Sequence, residues 1–363
     1  MATYRSIRDL DWSLIVVALA ISALGILQIY SATLDTVWQD AWWKQILYVG
    51  AGVVLMWLIS KMDYYTLMDH VPIMYGISLA LLLVTFAVGT TVFGSRRWIP
   101  LFAGFRLQVS EFIKVVIVLL VARYLTELKT DRLELRDLLK LCGLVGLPML
   151  LVMKQPDLGT SLTYTPILVV GVFLAGLQWK HAVAILVLFA LVMPVGWHFL
   201  KDYQKARLIS FMNPDQDPRG SGYQVIQSRI AVGAGGMWGK GVTRGTQTQL
   251  RFLPVPHTDF IFSAFGEEHG FVGVIVALGL YFLLIMQIVQ NAQMASDRAG
   301  VYICMGVAAL LLFHMFVNVG MVVGRMPVTG IPLPLMSAGG SNTITFFLML
   351  GLVNSVRLRR FVN

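Results

Sequence analysis

The 363-residue chain is 57% hydrophobic and only 13% charged, with a net charge of +9. A soluble domain carries about 25% charged residues, so this composition excludes a water-soluble globular protein. The positive balance fits cytoplasmic anchoring of membrane spans rather than a nucleic-acid footprint.

Ten apolar runs approach or reach the roughly 20 residues a helix needs to cross a bilayer. They are 12–32, 42–60, 71–89, 109–126, 139–153, 159–177, 181–199, 266–290, 299–324 and 337–356. The pattern predicts an all-α polytopic integral membrane protein with ten transmembrane helices, residues 1–363 forming a single membrane domain. The first run starts at Trp12 and lacks a small-residue cleavage site, so it reads as a span. An even number of spans puts both termini on one side. Cytoplasmic termini keep Arg5, Arg8, Lys61, Arg123, Arg357, Arg359 and Arg360 inside, which follows the positive-inside bias. The short charged stretch 127–137 then reads as a solvated cytoplasmic extension.

In chain order, the first candidates for chemistry are Arg97 and Trp98, in the third-to-fourth connection. With Arg96, Arg106 and Lys154 they leave positive charge on the outer face, where orientation rules would thin it out. An anionic ligand such as a lipid phosphate or pyrophosphate would suit Arg forks and Lys point charges; a plain basic surface is the other reading. Glu111 and Lys114 follow near the start of the fourth span, at a spacing that shares a helix face. Ionisable groups at membrane depth are expensive and normally paired. They form either a helix-locking pair or the lining of a polar outer cavity. Asp157, in Lys154-Gln155-Pro156-Asp157-Leu158-Gly159, either caps the next helix or faces that cavity.

Residues 200–260 interrupt the apolar pattern and are expected to form a large extracytoplasmic loop between helices 7 and 8. The loop carries eight basic residues against four acidic ones. Its Gly233–Gly241 run fails as a Walker A motif, because Ala234 and Gly241 stand where Gly and Ser or Thr are needed. Beside Lys240 and Arg244 it is either a flexible loop or a wrap for an anionic or sugar ligand. The loop closes on His257-Thr258-Asp259-Phe260. Asp259 is either the N-cap of the eighth helix or a carboxylate at an apolar wall, where a raised pKa suits a general base. Glu267 and Glu268 read as first-turn acids offsetting a helix macrodipole. His314 and Asn318, four apart, read as interhelical hydrogen bonds rather than substrate contacts. Ser337–Ser341 offers amides at a helix start, suited to an anion. Cys142 and Cys304 lack metal or redox spacing and read as packing residues.

Several of these pieces together resemble the SEDS family (shape, elongation, division and sporulation). They are Arg97-Trp98, Gln108-Val109-Ser110-Glu111-Phe112-Ile113-Lys114, Gln155-Pro156-Asp157-Leu158-Gly159, Gly222-Tyr223-Gln224-Val225-Ile226-Gln227-Ser228, His257-Thr258-Asp259-Phe260-Ile261-Phe262 and Pro332-Leu333-Pro334-Leu335. They run over nearly the whole chain in one order. The resemblance implies a ten-span peptidoglycan glycosyltransferase of the bacterial cytoplasmic (inner) membrane. It would polymerise lipid II, an undecaprenyl-pyrophosphate disaccharide-peptide, into glycan strands for cell elongation. Its implied partners are a class B penicillin-binding protein and other elongation-complex membrane proteins. The family's essential loop aspartate falls on Asp259, its Glu/Lys pair on Glu111 and Lys114, and a further aspartate on Asp157. Val109, Val255, His269 and Ala338 depart from the family pattern.

The chemistry agrees with the residues. An acceptor 4-hydroxyl must lose a proton as it attacks the donor anomeric carbon, and one carboxylate can take it. The departing pyrophosphate is already anionic, so it needs charge stabilisation rather than a proton donor. Arg97, Lys240 and Arg244 can supply that charge, and a divalent cation such as Mg or Mn can share it; His257 and Trp98 join the lining. Two other readings remain: a transporter that flips the same lipid, and a non-catalytic scaffold.

Overall fold

The computed structural model describes residues 9–92, 95–100, 106–128, 133–178, 180, 183, 198, 202–214, 220 and 222–360. The chain is mostly helical. In order, α1 is Trp12–Thr33, α2 Ala41–Lys61, α3 Tyr64–Asp69 and α4 Val71–Val88. Three short strands follow: β1 Thr90–Val92, β2 Ser95–Pro100 and β3 Arg106–Leu107. Then come α5 Val109–Thr126, α6 Leu135–Lys154, α7 Leu158–Leu162 and α8 Thr165–Leu174. The remainder is α9 Asp202–Met212, α10 Tyr223–Ala234, α11 Thr246–Gln249, α12 Ile261–Gln293, α13 Arg298–Val322 and α14 Gly340–Leu358.

Five of these, α1, α2, α4, α12 and α13, are long and apolar enough to cross a membrane. On α4 the residues Ile73, Ile77, Leu81, Val84 and Val88 are all exposed. Their spacing makes one helical stripe, which lipid rather than water would cover. The chain is a multi-pass membrane protein. Helices α5, α6 and α14 occupy the fourth, fifth and tenth predicted spans. The sixth is broken into α7 and α8, where Pro166 lacks an amide hydrogen and its ring opposes helix continuation. The seventh predicted span lies almost wholly outside the described residues.

Two sequence expectations are corrected. The fold is not purely α, because β1 pairs antiparallel with β2 (Thr90 opposite Trp98) and β2 with β3 (Ile99 opposite Leu107). The expected 200–260 loop contains α9, α10 and α11. The eighth predicted helix begins at Ile261 rather than 266, so Glu267 and Glu268 stand beyond its first turn.

The interior is built around α5 and α13, whose side chains are buried on nearly every side. A helix apolar all round belongs in such a place. Alongside, α2 and α14 lie in close contact. A methyl group on Gly52 would stand 2.6 Å from the Phe347 ring, and one on Gly351 2.7 Å from the Met56 carbonyl oxygen. Small residues permit that approach, and dispersion across the contact is what holds helices together in lipid. At the end where α1 starts, Asp11 accepts from Asn291 Nδ2 at 2.8 Å and from Arg357 Nη1 at 2.7 Å, tying α1, α12 and α14 together.

Candidate active site

Glu111 and Lys114 face inward from α5 and are buried almost completely. Lys114 Nζ donates to both Glu111 oxygens, at 2.9 and 2.8 Å. Glu111 Oε2 also accepts from Asn342 Nδ2 at 2.9 Å, and Lys114 Nζ lies 3.2 Å from His314 Nε2. Three helices (α5, α13 and α14) therefore share one buried charge cluster. Burying ions is costly unless geometry and hydrogen bonds compensate, and here each charge has at least two partners.

A second cluster sits where the β-hairpin meets the start of α7. Asp157 Oδ1 accepts from Thr160 N at 3.2 Å, so it caps α7. The same oxygen pairs with Arg97 Nη1 at 3.0 Å, while Oδ2 accepts from Gln108 Nε2 at 3.0 Å. Capping and a charged partner thus coexist in one carboxylate. Arg97 reaches it because β2 carries the residue out beside α7. Arg97 Nε is buried and has no acceptor among the described residues. Thr90 lies opposite Trp98 and Thr91 opposite Arg96, so Arg97 is the extra residue of a β-bulge, a device that re-aims a side chain. The two clusters are joined at the start of α14, where Ser341 Oγ accepts from Gln108 N at 2.9 Å, next to Asn342.

Asp259 lies immediately before α12, half-buried. Burial pushes its carboxyl above the ordinary aspartate range. The positive charges of Arg97 and Arg207 pull it down and the negative charge of Asp157 pushes it up, but burial dominates. The three charged side chains thus share the electrostatic neighbourhood of Asp259. Its Oδ2 lies over Gly330, where a methyl group would stand 3.4 Å away. Phe260 separates Asp259 from the helix and supplies the N-cap position, so Asp259 is not the cap of α12. His257 is buried against Trp38, ring centres 5.6 Å apart, and burial lowers its pKa to about 4.

The glycine-rich run packs on a kink in α12. Gly270 interrupts α12 at φ 66° and ψ −167°. The carbonyls of Glu267 and Glu268 there accept from Lys240 N at 3.0 Å and Gly241 N at 2.9 Å. In exchange, Phe271 N and Val272 N donate to Gly236 O at 2.9 Å and Met237 O at 3.1 Å. The run therefore satisfies the backbone groups that the kink frees, and two of its amides are spent inside the protein. Lys240 Nζ donates to Glu267 Oε1 at 3.0 Å and to Thr246 Oγ1 at 2.6 Å. Glu267 further accepts from the amides of Gln247 (2.8 Å) and Thr248 (3.1 Å), at the start of α11. Lys240 thus fastens the loop through Glu267 and Thr246. Arg244 is exposed on the following turn.

Sequence reasoning left several participants unplaced. Arg207 was one of eight loop cations with nothing to single it out. Gln108 and Asn342 are uncharged polar residues at span ends, and only their hydrogen bonds to Asp157 and Glu111 show that they hold carboxylates. The polar character of both, at the edge of apolar runs, was the available signal.

Comparison with known proteins gives a consistent result. The family model described as cell cycle protein, which spans FtsW, RodA and SpoVE, matches residues 11–360. The peptidoglycan glycosyltransferase MrdB of Escherichia coli (strain K12) is 38% identical over 356 residues, covering 97% of this chain and 94% of that protein. Among solved structures, a chain of a peptidoglycan synthase complex coordinating polymerization and crosslinking has a TM-score of 0.82 and 34% identity, covering 98% of this chain and 99% of that one. The rod shape determining protein RodA of Thermus thermophilus has a TM-score of 0.72 and 30% identity, covering 98% of each chain.

Proposed function

The chain belongs to the FtsW, RodA and SpoVE family of cell cycle proteins, and from that membership we propose that Asp259 is the general base of a lipid II polymerase. The enzyme is a peptidoglycan glycosyltransferase. Its donor is lipid II, whose anomeric carbon the acceptor 4-hydroxyl attacks with inversion. The O–H bond breaks as the new C–O bond forms, the proton passes to Asp259, and undecaprenyl pyrophosphate leaves with the electrons of the old C–O bond.

The observation that carries this reading is the placing of one half-open carboxylate, with its pKa raised by burial, in the field of Arg97 and Arg207. A base with a raised pKa works nearer neutral pH. Two cations beside it can steady the negative charge that builds on the departing diphosphate. Among the described residues no three His, Cys, Asp or Glu side chains converge as a metal cage. A Mg or Mn ion would therefore take most of its ligands from substrate phosphates and water, as Mg commonly does.

Ten spans, both termini in the cytoplasm of a bacterial inner membrane, and residues 200–260 on the outer side complete the reading. This topology puts Asp259 where a lipid-borne sugar can approach. A class B penicillin-binding protein is the proposed partner, supported by the likeness to a chain of a complex that both polymerizes and crosslinks. The test uses purified protein with that partner and lipid II in detergent, where no bilayer exists to cross. Glycan polymer should form, and Asp259→Ala should abolish it at unchanged folding. Polymer that survives the substitution removes the base assignment. A lipid transporter is the second reading, favoured by ionisable groups at membrane depth. The saturated hydrogen bonding of Glu111 and Lys114 argues against it.

A further inference from the structure

Three consecutive carbonyls lead into α12, and each is held by a group distant in sequence. His257 O accepts from Ala338 N at 2.9 Å, Thr258 O from Ser337 Oγ at 2.7 Å, and Asp259 O from Asn318 Nδ2 at 2.9 Å. Asn318 is fully buried on α13, and its second amide hydrogen goes to Ile331 O at 2.8 Å. Two carbonyls can only accept, so the amide must turn its nitrogen toward them. That leaves Asn318 Oδ1 buried without a partner among the described residues, a costly arrangement. The two backbone bonds hold the amide in place in spite of it.

One turn earlier on the same face of α13, His314 meets the next carbonyl. Its Nδ1 lies 3.0 Å from Pro332 O, so Nδ1 carries the proton. In a neutral ring Nε2 is then the acceptor, and Lys114 Nζ stands 3.2 Å from it. A continuous path of hydrogen bonds and short backbone therefore runs from Glu111 and Lys114, through His314, to Pro332. It continues from the adjoining Ile331 through Asn318 to the backbone of Asp259.

We propose that His314 and Asn318 are positioning residues that register the backbone of Asp259 against the buried Glu111–Lys114 pair. The pair then acts on the reaction by fixing where the base stands. This inference rests on the assignment of Asp259 as base. It gives a reason for an ion pair buried among helices to affect chemistry at the outer end of the bundle.

The test compares Asn318→Leu, His314→Leu and His314→Gln in the full chain with its transpeptidase partner, on lipid II in detergent. Displacing the base by about 1 Å should lower kcat on the order of 100-fold. KM for lipid II should stay within about twofold, as for a group acting only in the transition state. The acid limb of kcat should move, because Asp259 shifts within the field of Arg97, Arg207 and Asp157. Gln can donate to Pro332 and accept from Lys114, so His314→Gln should recover most of the rate that His314→Leu loses. Lys114→Met combined with His314→Leu should lose no more than the worse single change.

Normal kcat and an unmoved acid limb in Asn318→Leu, with only a lower Tm, would make the contact ordinary packing and overturn the proposal. Equal loss in His314→Leu and His314→Gln would overturn it too. If Asn318→Leu does not fold, the His314 comparison decides alone. Failure of the base assignment shows separately, as polymer made by Asp259→Ala, and the proposal falls with it.

Discussion

Gly270 packs directly on Gly239: a methyl group on Gly270 would lie 2.2 Å from the Gly239 nitrogen. Gly270 also adopts a backbone conformation that is essentially confined to glycine. Both constraints act on one residue, and together they let the loop backbone enter the kink of α12. Gly270→Ala should destabilise the folded state by about 3 kcal/mol or more, since it adds a clash to a backbone strain of about 1–3 kcal/mol. Thermal unfolding in detergent would show it as a lowered Tm. Gly233→Ala is the control, because a methyl group there meets open space. A Gly270→Ala protein as stable as the control would remove this account of the kink.

Lys240 offers a sharper distinction. Its ammonium lies against Glu267, whose other oxygen contacts come from Thr246, Gln247 and Thr248. Removing the lysine leaves that carboxylate well supplied with donors. The ammonium is partly exposed, so its loss should cost about 1 kcal/mol or less. Lys240→Met should therefore lower Tm slightly while leaving KM for lipid II unchanged. A KM raised tenfold at normal stability would instead return Lys240 to the substrate site.

Lys240 also shows where sequence reading stops. Charge sign and a neighbouring glycine run leave an anion cradle and a plain loop both open, because which acceptor takes a lysine depends on contacts made across the fold. The apolar runs were legible because lipid imposes length and composition on every span, and nine of the ten predicted runs coincide with helices or a helix pair. The β-hairpin was hidden, since a short connection between spans carries no membrane constraint. Asp259, Glu111, Lys114 and Asp157 stood out because a carboxylate or ammonium beside apolar runs is rare. Asn318 and His314 were visible as a shared helix face. Their acceptors were not, because backbone carbonyls leave no trace in side-chain pattern.

Asp157 serves two purposes, and one substitution separates them. Asn caps helices about as well as Asp, so Asp157→Asn should keep α7 and leave Tm nearly unchanged. Asp157→Ala loses the cap and should cost about 1 kcal/mol. Both release Arg97 from its ion pair. If the charge matters to the reaction, Asp157→Asn should change kcat although the fold is intact. Equal kcat in wild type and Asp157→Asn, with loss only in Asp157→Ala, would reduce Asp157 to a cap.

The pH dependence of polymerisation follows from the same neighbours. With Asp259 as the proposed base, which must be ionised to accept a proton, kcat should fall as pH drops through its pKa. Burial raises that pKa, which sets the acid limb above the ordinary aspartate value of about 3.9. Arg97 lowers the pKa, so Arg97→Met should move the limb to higher pH. Asp157 raises it, so Asp157→Asn should move the limb to lower pH. Burial lowers the pKa of His257 to about 4. Its effect is on stability. The unfolded imidazole protonates near 6.5 and the folded one near 4, so the folded state should weaken as pH falls across that window. Rate profiles for the two variants, with Tm measured over the same range, check all three signs. Limbs that shift together, in the same direction, would mean that Arg97 and Asp157 do not act on Asp259 with opposite signs.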